Sequence, residues 1–175
     1  MLWGIFLSFC ALGTIQHFLF VPLGRPNALR WLLPVNESPW EHCKLAFWPL
    51  GGALGTATLL AGLPFRAFVC AWFAAATHGF CTMLGIYCFY RFGLGVKRPV
   101  LWVDITNYYV TMLIGWRLGL RVLLQPLRPG AALWAGTALL ACALFFPLAA
   151  TLPPTQYPLF REENKNGRNQ RTTAS

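Results

Sequence analysis

Pro34-Val-Asn-Glu-Ser-Pro-Trp-Glu-His-Cys-Lys44 is a polar stretch between two apolar segments, and its pattern predicts the start of a helix. It holds two of the chain's five acidic residues and one of its three histidines. Ser38 has the side chain of an N-cap, and Pro39 suits the first helical position, where a missing N–H costs nothing. Glu41, three residues after the serine, completes a capping box. The stretch therefore predicts a capped, interfacial entrance to a transmembrane helix.

Long apolar runs make up most of the remaining chain. Hydrophobic residues are 57% of the 175 residues and charged residues 11%, far from the composition of soluble domains. Residues 1–24, 45–65, 67–90 and 129–160 contain no Asp, Glu, Lys or Arg, and residues 99–116 carry only Asp104. A helix of about 20 such residues crosses a hydrocarbon core of roughly 30 Å.

These runs predict an all-α integral membrane helical bundle with about five transmembrane helices in residues 1–160. The expected spans are 2–23, 41–62, 66–90, 100–121 and 131–152. Residues 161–175 are polar and poor in aromatic residues, so we expect a disordered tail.

The basic residues predict the orientation of the spans. The formal net charge is +9, yet these residues separate the apolar runs and form no patch, so we expect no nucleic acid as a partner. If the N-terminus lies outside, the inner side receives Arg25, Arg30, Lys44, Arg91, Lys97, Arg98, Arg161, Lys165, Arg168 and Arg171. The outer side keeps Arg66, Arg117, Arg121 and Arg128. This asymmetry predicts a multi-pass protein of the cell (inner or plasma) membrane with a cytoplasmic C-terminus.

Cysteines and glycines add expectations about packing. The six cysteines form no C-x-x-C pair, so they are expected to be small buried hydrophobes and not a disulfide framework or zinc site. Gly51 and Gly55 form a G-x-x-x-G pair, which permits close approach of another helix. Beyond the lipid bilayer, the partner considered is a second copy of the chain, through Gly51, Gly55, Gly115 and Gly119.

Polar residues of several spans are expected to meet at one membrane face, because consecutive helices alternate in direction. The candidate polar site consists of His17, Asn36, Glu37, Glu41, His42, His78, Asp104 and Asn107. Ionisable groups inside a membrane cost about 2.5–3.5 kcal/mol for Asp, Lys or Arg, and usually face a partner or a water-filled cavity. Glu37, His42 and Asp104 are expected to form one coupled site at the inner mouth of the bundle.

Three functions are compatible with these residues. In the first, the site is structural, with Asp104 paired to Lys97, Arg98 or Lys44, and the protein is a scaffold. In the second, the histidines and carboxylates serve proton- or ion-linked transport or sensing.

The third is a metal-dependent membrane enzyme, with Glu37 as general base. A divalent metal is its possible cofactor, and the candidate ligands are His17, Glu41, His42, His78 and Asp104. No H-E-x-x-H motif is present, no catalytic residue can be assigned, and the pattern favours a role other than an enzyme.

The polar stretch also carries a resemblance. Val35-Asn36-Glu37-Ser38, Trp40-Glu41-His42 and Lys44, with His17-Phe18-Leu19 upstream and Asp104-Ile105 later, resemble an uncharacterised family of small polytopic bacterial membrane proteins, a domain of unknown function. The resemblance implies a multi-span membrane fold over most of the chain. It implies no activity, because that family has none assigned.

Overall fold

The computed structural model is an all-α bundle, as predicted. It describes residues 1–151 except 25, 37, 97–99, 127 and 129, with only the backbone described for residues 146–151. In this part of the chain there are five long helices and no strand. They are α1 (Leu2–Leu19), α2 (Pro39–Leu60), α3 (Phe65–Cys88), α4 (Leu101–Leu123) and α5 (Ala131–Thr151). The predicted tail, residues 161–175, lies outside the described residues.

Four of the helices begin and end within two residues of the predicted spans. The exception is α1, which ends at Leu19 instead of residue 23. Pro22 has no N–H for the next helical hydrogen bond, and Gly24 adopts φ +78, a left-handed conformation that stops the helix. A 3-10 turn at Asn27–Leu29 follows, and a π-helical turn at Phe89–Gly93 extends α3.

Consecutive helices alternate in direction, and α3 packs against α2, α4 and α5. The end of α1 meets the start of α2 where the rings of His17 and His42 adjoin. The end of α3 meets the start of α4 where Tyr90 bonds to Asp104. One end of the bundle therefore collects the C-termini of α1 and α3 and the N-termini of α2 and α4.

Aromatic rings fill the space between the helices. Phe47 of α2 lies 4.9 Å from Trp72 and 5.9 Å from Phe80, both of α3, measured between ring centroids. The Trp72 indole N–H donates to the Phe47 carbonyl at 2.9 Å, so the ring is held in orientation as well as packed. Between α1 and α4, the ring of Phe6 stacks on that of Trp116, with 6.0 Å between their centroids.

Small residues allow these close approaches within the chain. A Cβ added at Gly51 would lie 2.5 Å from Trp72, and one at Gly119 would lie 2.6 Å from the fully buried Leu54. A Cβ added at Gly115 would lie 2.8 Å from Leu50, and one added at Gly55 would lie 3.5 Å from Phe68. Self-association through these four glycines stays a prediction, and each of them already packs against a helix of its own chain.

Apolar character differs among the five helices. Within the described residues, two helical segments are long and apolar enough to cross a membrane: Leu2–Leu19 with 18 residues and Phe65–Gly93 with 29. The described part of α5, Ala131–Phe145, is a shorter apolar helix. All six cysteines are free, and Cys81 is exposed, so the expectation of burial is wrong for that residue.

Candidate functional site

Helix α2 begins in the polar stretch, where the side chains of Ser38 and Asn36 each accept a hydrogen bond from a backbone N–H. Ser38 is the N-cap, its backbone is extended, and its Oγ accepts from the Glu41 N–H at 3.4 Å, with Pro39 at the first helical position. A capping box would return the Glu41 carboxylate to the Ser38 N–H. Instead the Ser38 N–H donates to Asn36 Oδ1 at 3.0 Å. Asn36 therefore takes the role expected of Glu41, and the glutamate is released for a different contact.

That contact is a buried ion pair between Glu41 and Lys44. Glu41 Oε2 lies 2.7 Å from Lys44 Nζ, and the two side chains are 3% and 0% exposed. The same carboxylate oxygen accepts from the Val35 N–H at 2.8 Å. Lys44 Nζ also donates to the carbonyls of Arg30 at 2.6 Å and Leu33 at 3.4 Å. The three protons of the ammonium group thus have three oxygen acceptors.

This pair fastens the segment between α1 and α2 to the bundle. Both of its charges bond to backbone groups of residues 30–35, which have no regular secondary structure to satisfy them. Gln16 of α1 adds a side-chain hydrogen bond from Nε2 to the Leu32 carbonyl. Trp48 Nε1 adds another to the Trp31 carbonyl at 2.9 Å. The segment is therefore tied to both neighbouring helices.

Two of the three histidines meet where the end of α1 adjoins the start of α2. The ring centroids of His17 and His42 are 5.1 Å apart, with a tilt of 42° between the ring planes. Both side chains are half-buried. His42 Nδ1 lies 2.9 Å from the Ser38 carbonyl. The N-cap therefore also orients the His42 ring, because the residue that starts the helix supplies the acceptor.

Asp104 and Asn107 connect α3 with α4. The Tyr90 hydroxyl donates to Asp104 Oδ1 at 2.9 Å. Asn107 is buried, and its Nδ2 donates to the Met83 carbonyl at 3.0 Å while its Oδ1 accepts from Thr111 at 3.3 Å. Asp104 and Asn107 therefore both face the end of α3. Lys97 and Arg98, suggested partners of Asp104, lie outside the described residues.

The remaining candidates are placed apart or cannot be placed. His78 lies within α3, where its Nε2 is 3.1 Å from the Thr82 hydroxyl one turn later. Glu37 lies outside the described residues, so its coupling with His42 and Asp104 stays a prediction. In the described residues, His42 has a ring contact with His17, and Asp104 accepts a hydrogen bond from Tyr90.

The predicted set of five metal ligands does not converge. Among the described residues, no three His, Cys, Asp or Glu side chains are grouped closely enough to hold one metal ion. Glu41 is engaged by Lys44, and His78 belongs to the middle of α3. Of the five candidate ligands, the structure brings two together, His17 and His42.

Two side-chain contacts were not expected from the sequence. Gln16 anchors the connecting segment, and its polar side chain in an otherwise apolar helix was the available signal. Tyr108 follows Asn107 on α4, and its hydroxyl donates to the Cys10 carbonyl of α1 at 3.0 Å. Nothing in the local sequence of Tyr108 specifies that partner.

Fold and site together define an all-α bundle with helices apolar enough for a membrane and a polar, hydrogen-bonded end. The chain belongs to DUF6512, a family of unknown function whose model matches residues 1–169. This confirms the predicted membership of an uncharacterised family, whereas the signature at residues 35–44 stays a prediction. Neither a curated protein nor a solved structure matches the chain.

Proposed function

We propose that this protein is a five-span protein of the cell membrane, with its N-terminus outside and its C-terminus in the cytoplasm. The alternating direction of consecutive helices supports this proposal, as do the uncharged runs of the sequence. In this orientation the polar end of the bundle, with His17, His42 and Asp104, faces the cytoplasm. Ten of the fourteen basic residues then lie on the inner side.

The internal pairing of polar groups supports membrane insertion of the less apolar helix α2. Glu41 and Lys44 would be costly in hydrocarbon if they were separate. In the folded chain they neutralise each other, and the remaining Lys44 protons bond to carbonyls. The helix therefore presents no unpaired charge from these two residues to lipid.

Topology is tested with reporters and cysteine labelling. Green fluorescent protein fused after Ser175 should fluoresce, and alkaline phosphatase at the same position should be inactive, because only a cytoplasmic C-terminus gives this pair of results. In a chain without native cysteines, Gly62→Cys should react with an impermeant maleimide from outside, and Asn166→Cys should react only after lysis. The reverse labelling pattern would contradict the proposed orientation.

For the activity, we propose that the polar end takes part in proton- or ion-linked transport. The observation that carries this proposal is the approach of His17 and His42, two half-buried imidazoles from different helices, at the polar end of the bundle. Imidazoles exchange protons near neutral pH and bind cations through a lone pair. Ionisable groups within membrane spans commonly mark ion pathways.

A flux assay tests the transport role. Full-length protein is reconstituted into liposomes that contain a pH-sensitive dye or a dye for divalent metal ions, and a potassium diffusion potential, negative inside, draws cations inward. We expect protein-dependent entry of one of these cations. The double variant His17→Gln/His42→Gln should lower the rate about tenfold, because both imidazoles are removed from the path.

His78→Gln is the matched control, since His78 lies elsewhere in α3 and bonds to Thr82. Its flux should stay within about twofold of the parent. A parent protein that is correctly inserted but moves neither cation would contradict transport. If a cation changed the protease accessibility of such a protein, the site would be a sensor and not a pathway.

A further inference from the structure

We propose that His17 and His42 form a two-histidine binding site for a divalent transition-metal ion of the Cu²⁺, Ni²⁺ or Zn²⁺ class. The inference rests on the proposed function, because it names a cation for the same site. The two rings come from the end of α1 and the start of α2 and approach to 5.1 Å between centroids. Imidazole is a preferred ligand of these metals, whereas Mg²⁺ and Ca²⁺ prefer oxygen.

The separation of the rings suits a shared metal ion. A metal–nitrogen bond is about 2.0–2.1 Å, so two imidazoles on one tetrahedral ion have ring centres about 5 Å apart. The observed separation of 5.1 Å between the ring centroids agrees with this distance. The tilt of 42° between the ring planes also shows that the rings are not stacked in parallel.

The hydrogen bond of His42 prepares that ring as a ligand. Its Nδ1 lies 2.9 Å from the Ser38 carbonyl, and a carbonyl oxygen can only accept. Nδ1 therefore carries a proton and donates it, so Nε2 is the ring nitrogen that would bind a metal ion. Donation from the second ring nitrogen to a carbonyl is the usual arrangement of metal-binding histidines, because it fixes the tautomer and the ring orientation.

Two protein ligands are assigned from the described residues, His17 and His42. In the described part of the chain, no third His, Cys, Asp or Glu side chain joins the pair. The neighbouring Glu41 is held by Lys44 and the Val35 N–H. Water or a further oxygen ligand would complete the coordination.

Copper binding to the full-length protein tests the inference. Protein in lipid nanodiscs is stripped with a chelator and titrated with Cu²⁺, Ni²⁺ or Zn²⁺ by calorimetry. We expect one site, tightest for Cu²⁺ according to the general order of divalent metals. His17→Gln and His42→Gln should each weaken Cu²⁺ binding about tenfold or more, whereas His78→Gln should not change it. His78→Gln also retains all six cysteines, so it reports any background they cause.

Pulsed electron paramagnetic resonance of the Cu²⁺-loaded parent protein gives a second measurement that needs no variant. Coupling to two imidazole nitrogens is the expected result. A spectrum without imidazole coupling, or an unchanged affinity in a folded His42→Gln variant, would overturn the inference. Proton flux without metal binding would overturn the inference and leave the proposed transport standing. Metal binding without any flux would support the inference and contradict transport.

Discussion

Lys44→Met should lower the free energy of unfolding by about 3–5 kcal/mol, the usual cost of leaving one member of a buried ion pair alone. The Lys44 side chain is 0% exposed, and its ammonium group bonds to Glu41 and to two backbone carbonyls. Methionine preserves the length of the side chain and removes the charge. Glu41 would then remain buried and ionised, or take up a proton at a cost. Equilibrium unfolding in mixed detergent micelles, followed by circular dichroism, measures the change.

Arg66→Met is the matched control for this substitution. Arg66 is a basic residue exposed at the start of α3, so its replacement should change the free energy of unfolding by no more than about 0.5 kcal/mol. The double variant Glu41→Gln/Lys44→Met should recover part of the lost stability. Glutamine keeps an oxygen that can accept from the Val35 N–H, and the unpaired charge is gone. A loss below about 1 kcal/mol in Lys44→Met would show that the pair contributes no more than a surface ion pair.

The helices and the start of α2 could be predicted because they depend on short-range patterns. Ser38 and Pro39 specify an N-cap within their own turn, and the apolar runs fix the helix lengths. The partner of Glu41 could not be predicted in the same way. Two acceptors compete for the Ser38 N–H, and the connecting segment decides between them by bringing Asn36 to it and Val35 to Glu41.

The geometry of the candidate site could also be predicted only in part. Alternation of helices correctly predicts that His17 and His42 lie at the same end of the bundle. It does not specify that their rings adjoin, because this depends on the rotation of α1 and α2 about their axes. That rotation is set by distant contacts, such as Gly13 against Tyr108 and Pro49, and Gly52 against Phe9. A sequence without aligned relatives contains the residues of these contacts but not their pairing.

Trp116→Ala should lower the free energy of unfolding by about 3 kcal/mol, at the lower end of the range for buried aromatic residues. Trp116 is 2% exposed and stacks on Phe6, so its removal leaves a cavity between α1 and α4. If the bundle lies in a membrane, the loss comes from packing, because lipid tails are as apolar as the protein core. Thermal stability and detergent unfolding of the purified variant measure the change.

Trp102 offers a control on the same helix, since it is 75% exposed. Trp102→Ala removes the same number of atoms from the surface and creates no internal cavity, so its effect should stay within about 0.5 kcal/mol. Comparable losses for both variants would contradict the packing of α1 against α4. The comparison bears on the histidine pair as well, because the contact between α1 and α4 helps to fix the rotation of α1. Trp116→Ala should therefore weaken Cu²⁺ binding, although Trp116 lies about four turns of helix away from the end that holds His17.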